Sequence, residues 1–288
     1  HLAHQHDVGV LAQRRPQRLG EGSRVRGDLA LIDQAAARRV HELERMLGAC
    51  EANNVQFMDG VMFMHSARLE RLRKTLDDSE SVGAIRRVAS QFTFRAPDDW
   101  FESNIRTDPA LEPYGCLGDL GWYCIRMTLW AMNYEMPQRV VAHLLGKSSR
   151  SNDAMPVPIE LSAELFFAGG VTAAFYCSFR TQQQQLVHVS GSKGYAYLDD
   201  FVLPFDNDEL TYEVCRQQYQ IEGCEFKMHP HKRLESVKEH GSGTPNAQET
   251  NLIRNFSELA LSGTPDRAWS KIALQTQRVM DACYESAT

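Results

Sequence analysis

The chain has 288 residues, 43% hydrophobic and 24% charged, with a formal net charge of −6. That length supports one large or two ordinary domains around a sizeable core. The mild acidity excludes a nucleic-acid partner, which needs a basic stripe against its phosphates. No apolar run approaches the roughly 18–20 residues of a membrane span, and no basic start followed by an apolar core marks a secretory signal. Seven scattered cysteines without a C-x-x-C fit reduced thiols in a cytoplasmic protein.

The first forty residues hold seven arginines and no lysine. Gly20–Val25 (GEGSRV) begins like a G-x-G-x-x-G phosphate loop, but Val25 replaces the third glycine and a polar, Pro-broken run precedes it. The strand such a loop needs is missing, so residues 1–40 read as an aberrant or disordered leader. From His41 to Asn53, Leu43, Met46, Leu47 and Cys50 recur at helical spacing. Val55–Met64 is a short apolar run expected to form a buried strand, and Ser66–Leu76 a second helix with its leucines inward.

From Gly83 the period changes to two. Ile85–Phe94 alternates, and a polar loop (Arg95–Pro113) leads to a glycine-punctuated stretch, Gly115–Tyr134. Val140–Leu145, Ile159–Phe167, Val171–Phe179, Leu186–Ser190, Tyr195–Leu203 and Leu210–Cys215 then read as strands. Ala168-Gly169-Gly170 closes a hairpin between the second and third of these. Val171, Ala173, Phe175, Cys177 and Phe179 share the face that needs a helix against it. The segment after Cys215, rich in His and Lys, reads as a polar loop, and helices over about Ala247–Leu261 and Ser270–Glu285 close the chain. The fold class is α+β, an open, mostly antiparallel sheet with helices on one face.

Within Gly115–Tyr134, glycines 115, 118 and 121 feed an apolar helix. Asp119 and Tyr123 stand four residues apart, on one helix face. Two readings remain open on spacing alone. Asp119 caps the helix while Tyr123 packs in the core, or the two form a carboxylate–phenol pair able to move a proton.

Glu51–Gly60 (EANNVQFMDG), Asn104–Pro109 (NIRTDP) and Gly115–Tyr123 (GCLGDLGWY) resemble the glucose–fructose oxidoreductase/inositol dehydrogenase family. The similarity runs from about residue 41 to the C-terminus and is nearest to the branch with a Tyr in the D-x-x-x-Y position, as in dihydrodiol and xylose dehydrogenases. The resemblance implies a remnant of a Rossmann dinucleotide-binding domain over 41–82 and a substrate and oligomerisation domain over 83–288. It implies Tyr123 and Asp119 as catalytic residues, Asn104 and Arg106 as substrate ligands, and Phe63, His65 and Arg68 as the NAD(P)-facing side. The expected activity is oxidation or reduction of a sugar, polyol or dihydrodiol, with NAD(P) as cofactor.

Two departures qualify that expectation. No complete phosphate loop precedes residue 41, and Gln34, inside ALIDQAAA, occupies the place of the family's catalytic lysine. Glutamine lacks the charge that lowers a tyrosine pKa. An oxidoreductase with impaired turnover and weak or absent dinucleotide binding is therefore expected, the alternative being a non-catalytic binding or dimerisation module. Surface readings compete for several candidates: a loop His and helix-start Arg at 65 and 68, a loop ion pair for Arg106. Cys224, His229, His231 and His240 lack zinc spacing, so no metal is expected, and Trp122 and Trp130 read as bulk. The other face of the 159–179 hairpin carries Phe166, Ala174 and Tyr176, so a homodimer through the open sheet face is expected.

Overall fold

A computed structural model describes residues 40–149 and 155–288, together with the backbone of residues 30–32. Gln34 and the Gly20–Val25 segment lie outside the described residues.

The chain first builds a small parallel pair. Strand β1 (Ala30–Ile32) pairs with β2 (Phe57–Asp59) through Ala30↔Phe57, and helix α1 (Val40–Ala52) connects them. Leu43 and Cys50 of α1 pack with Phe57 against Ala273 in the last helix, α6 (Ala268–Ala287). The strand expected over 55–64 is shorter. After Asp59 the backbone closes on itself, Val61 N–H donating to Asp59 O, and Met62–His65 form a 3₁₀ turn. An apolar run buried throughout carries no period, so its length alone could not separate strand from turn. Ser66 then caps α2 (Ala67–Asp77), its hydroxyl accepting from Arg68 N at 3.1 Å.

The remainder is an eight-stranded sheet: β3 (Ile85–Thr93), β4 (Arg139–Ser148), β5 (Val157–Phe166), β6 (Thr172–Ser178), β7 (Gln184–Gly191), β8 (Tyr195–Leu198), β9 (Leu210–Glu222) and β10 (Glu225–Val237). Their order is β10-β9-β8-β7-β3-β6-β5-β4, and only the β3–β6 junction is parallel. The expected mostly antiparallel sheet is therefore present. The segment read as a polar loop is β10, which pairs with β9 along thirteen residues of each strand. Strand β8 ends at Leu198, before the Leu203 expected.

Alternation decides the faces. Leu161, Leu165, Ala173, Phe175, Val187 and Val189 are buried, while their neighbours Ser162, Ala174 and His188 are only half-buried. The buried side packs beneath α4 (Trp122–Ala131) and α6, with α2 against β9 and β10. Short α3 (Trp100–Ser103) lies in the loop after β3, and α5 (Gln248–Ser262) packs on the 62–65 turn and stops at Gly263 in a left-handed conformation (φ 70°). No helix among the described residues is long and apolar enough to cross a membrane.

Candidate active site

Helix α4 does not start cleanly. Leu117–Gly121 forms a π turn, in which Trp122 N–H reaches back five residues to Leu117 O. Such a turn widens a helix locally and recurs at functional sites. The corner around it is crowded. Gly115 has φ 52°, and a Cβ there would collide with the Pro158 carbonyl oxygen. A Cβ at Gly118 would meet the buried carboxylate of Glu112. Glycine at both points lets the loop pass under β5 and lets Glu112 close over the turn.

Asp119 emerges from the middle of the π turn, half-buried. The loop before it is shaped to meet it. Asn104 Oδ1 accepts from Arg106 N at 3.0 Å, capping the 3₁₀ turn Ile105–Thr107, and the Thr107 hydroxyl donates to Phe101 O at 2.9 Å. Arg106 Nε then donates to Asp119 Oδ1 at 2.6 Å. Charge-assisted contacts of this kind fix geometry as well as energy. Asn104, Arg106 and Asp119 are thereby brought into one cluster, and the surface ion pair anticipated for Arg106 is made with the second candidate catalytic residue.

Tyr123 lies one turn on, half-buried, with its ring set edge-on against Phe92 (centroids 5.6 Å apart, 88°) and 6.3 Å from Phe63. Phe201 completes the wall, 5.6 Å from Phe63. Sequence reasoning missed Phe92, Phe201 and Glu112. The first two are ordinary apolar positions in a strand pattern, and Glu112 carried no signal beyond a carboxylate near a glycine run.

The 63–68 segment sits differently from expectation. Phe63 is buried within the aromatic wall. His65 is buried and stacked on Trp269 (4.7 Å, 14°), its Nδ1 2.9 Å from Asn255 Nδ2. The amide can only donate, so Nδ1 accepts and Nε2 carries the proton. Burial lowers the His65 pKa to about 4, so the ring is neutral at neutral pH. Arg68 is engaged within the protein. Its guanidinium is buried in an ion pair with Asp200 and donates to Asp200 O at 2.9 Å and Thr211 O at 3.1 Å. A side chain so engaged anchors α2 to the sheet.

Behind the helix, Cys116 and Cys177 lie Sγ to Sγ at 3.8 Å, and burial pushes the thiols of Cys124, Cys177 and Cys283 well up. Protonated and enclosed, they pack as small apolar groups and are not nucleophiles. No group of three or more His, Cys, Asp or Glu placed to hold a metal occurs among the described residues.

A dinucleotide needs backbone N–H groups around its pyrophosphate. Among the described residues the glycine-rich helix start is 115–121, and there the Pro158 carbonyl and the Glu112 carboxylate close the approach. Among the described residues, this glycine-rich turn is therefore closed to a pyrophosphate.

Residues 70–197 match the model of the GFO/IDH/MocA C-terminal domain. The chain is 25% identical over 180 residues to trans-1,2-dihydrobenzene-1,2-diol dehydrogenase of Bos taurus, covering 60% of this chain and 48% of that protein. It is 27% identical over 264 residues to D-xylose 1-dehydrogenase (NADP(+)) 2 of Haloferax volcanii, covering 91% of this chain and 71% of that one. The fold is similar to the 3-ketoreductase KijD10 from Actinomadura kijaniata in complex with NADP and TDP-benzene: TM-score 0.71, 21% identity, 89% of this chain and 70% of that chain. It is also similar to the aldose-aldose oxidoreductase of Caulobacter crescentus: TM-score 0.67, 21% identity, 88% of this chain and 68% of that one. The chain spans about half the length of the dihydrodiol dehydrogenases it matches. Residues 70–197 thus belong to the GFO/IDH/MocA family, as its C-terminal domain.

Proposed function

We propose that this chain supplies the substrate half of an NAD(P)-dependent oxidoreductase acting on the hydroxyl or carbonyl of a sugar, polyol or dihydrodiol. The observation that carries the proposal is the Arg106–Asp119 pair held at a π turn, one helical turn before Tyr123. Tyr123 is the proton carrier, giving its hydroxyl proton to a substrate oxygen on reduction and taking it back on oxidation. Asp119, fixed by Arg106, sets the local field, and Arg106 with Asn104 orients substrate oxygens. Phe63 and Phe92 hold the Tyr123 ring, with Phe201 packed behind both, and keep water from its buried side.

The dinucleotide enters as an expectation drawn from relatives whose names and structures include NADP. When bound it supplies the hydride; this chain's described residues hold and move only the proton. Residues 41–82 are read as a remnant of the dinucleotide-binding unit and residues 83–288 as the substrate domain. Binding of NAD(P) by this chain is expected to be weak or absent. Two copies are expected to join through the uncovered sheet face.

The test is steady-state turnover of D-xylose and a dihydrodiol with NADP, for this chain and for a form carrying an intact dinucleotide-binding half, each beside its Tyr123→Phe variant. The variant keeps the ring and its packing, so a loss of about 10²–10⁴-fold in rate marks the proton carrier. Retention of more than about a tenth of the rate would make Tyr123 a packing residue, and no turnover in either parent form would favour a non-catalytic binding module. Asp119→Asn should cost less, because the proton carrier stays.

A further inference from the structure

Two carboxylates from separate loops converge on three consecutive residues. Asp200 follows β8 and Glu239 follows β10, yet both bond to the start of α2 at Ser66–Arg68. Arg68 pairs with Asp200 Oδ1 and donates to the Asp200 carbonyl, while Asp200 Oδ2 accepts from Phe205 N at 3.0 Å. Glu239 Oε2 accepts from the Ser66 hydroxyl at 2.8 Å and from Arg68 N at 3.3 Å. Ser66, Arg68, Asp200 and Glu239 are all buried, Glu239 at 1% exposure.

This junction holds the aromatic wall. Ser66 N donates to Phe63 O at 3.1 Å, so the 3₁₀ turn bearing Phe63 ends on the residue that Glu239 grips. Asp200 is the chain neighbour of Phe201. The rings close a circuit: Phe63 to Tyr123 at 6.3 Å, Tyr123 to Phe92 at 5.6 Å, Phe92 to Phe201 at 6.3 Å and Phe201 to Phe63 at 5.6 Å. Phe92 is fixed by β3, whereas Phe63 and Phe201 depend on Ser66–Arg68. Close-packed rings pass a displacement on, because the interior leaves little slack. A misplacement of about 1 Å at a reacting group can cost about 10²-fold in rate.

Glu239 Oε1 is buried and has no hydrogen-bond partner among the described residues, so one oxygen carries the whole contact. Burial raises the Glu239 pKa, the Ser66 hydroxyl acting against that shift. What the turn needs from residue 239 is therefore an acceptor, which glutamine also supplies.

We propose that Glu239 is a positioning residue for Tyr123, setting its ring through Ser66 and Phe63. The proposal rests on the reading of Tyr123 as the proton carrier and adds a control on where that proton is delivered.

The test reads the Tyr123 ring directly. The chain is produced with 3-fluorotyrosine, and the Tyr123 fluorine-19 resonance is identified by its loss in Tyr123→Phe. Wild type, Glu239→Ala, Glu239→Gln, Phe63→Leu and Phe63→Leu/Glu239→Ala are compared, each with a urea unfolding curve. Glu239→Ala should displace or split the Tyr123 resonance and leave that of Tyr219, 63% exposed, unmoved. Glu239→Gln should keep the wild-type position. In the Phe63→Leu chain, adding Glu239→Ala should move the resonance no further. A lowered urea midpoint for Glu239→Ala with the Tyr123 resonance unmoved would overturn the proposal and leave Glu239 an anchor of α2. A full displacement in Glu239→Gln, or again in the Phe63→Leu background, would overturn it as well. Where Glu239→Ala does not fold, Ser66→Ala removes the hydroxyl between Glu239 and the turn and is held to the same outcomes. No turnover enters the measurement, so a failure of the proton-carrier reading, seen in the Tyr123→Phe rates, stays separate from a failure here.

Discussion

His65 is the side chain whose protonation the fold most opposes. Burial lowers its pKa from 6.5 to about 4; Asp59 acts against that shift and Arg126 with it. Between those values the unfolded chain binds the extra proton, so this contribution to stability is complete above pH 6.5 and is lost as pH falls toward 4. By about pH 4.5 the loss should reach about 2–3 kcal/mol. Urea unfolding at pH 7.5 and 4.5 should therefore show a smaller pH difference for His65→Gln, which cannot titrate, than for the wild type. Gly115 gives a second prediction at this scale. Gly115→Ala adds a Cβ at φ 52° against the Pro158 carbonyl and should cost about 2–4 kcal/mol, read as a lowered urea midpoint. The glycine run itself was legible in the sequence as a loop passing close to something. What it passes close to was not, because β5 lies some forty residues away in the chain.

Helix α4 joins three layers through one buried ion pair. Arg126, fully buried, grips both oxygens of Asp59 on β2, with Nη1 3.2 Å from Oδ1, while its Nε donates to Thr276 Oγ1 on α6 at 2.8 Å. Trp122 Nε1 adds a donor to the same carboxylate at 3.3 Å. Removing one partner of such a pair strands the other charge in the core, which costs about 3–5 kcal/mol. Asp59→Asn should therefore lower stability by that amount in chemical denaturation. The apolar spacing of this helix was readable; the π turn that carries Asp119 just before it was not. An arginine inside that apolar run was a signal of a buried partner that went unused. The β9–β10 hairpin failed in the opposite way: Tyr219, Ile221, Phe226 and Met228 do alternate with polar residues, but the dense His, Lys and Gln around them outweighed the period.

For the whole molecule, the proposed pairing of two copies through the uncovered sheet face would make association part of stability. If two copies bind in the folded state alone, the melting temperature must rise with protein concentration. Thermal scans from about 0.5 to 50 μM should show that rise; a melting point independent of concentration would count against the dimer. The sequence by itself determined the strand-rich half, the helix that carries Asp119 and Tyr123, and the turn between β5 and β6, because hydrophobic period and glycine placement are local properties. Only the tertiary structure decided that Arg106 meets Asp119, that the Phe92 ring lies edge-on to Tyr123, and that Arg68 pairs with Asp200. Those pairings join residues on different elements, and no local pattern records which side chains the fold brings together.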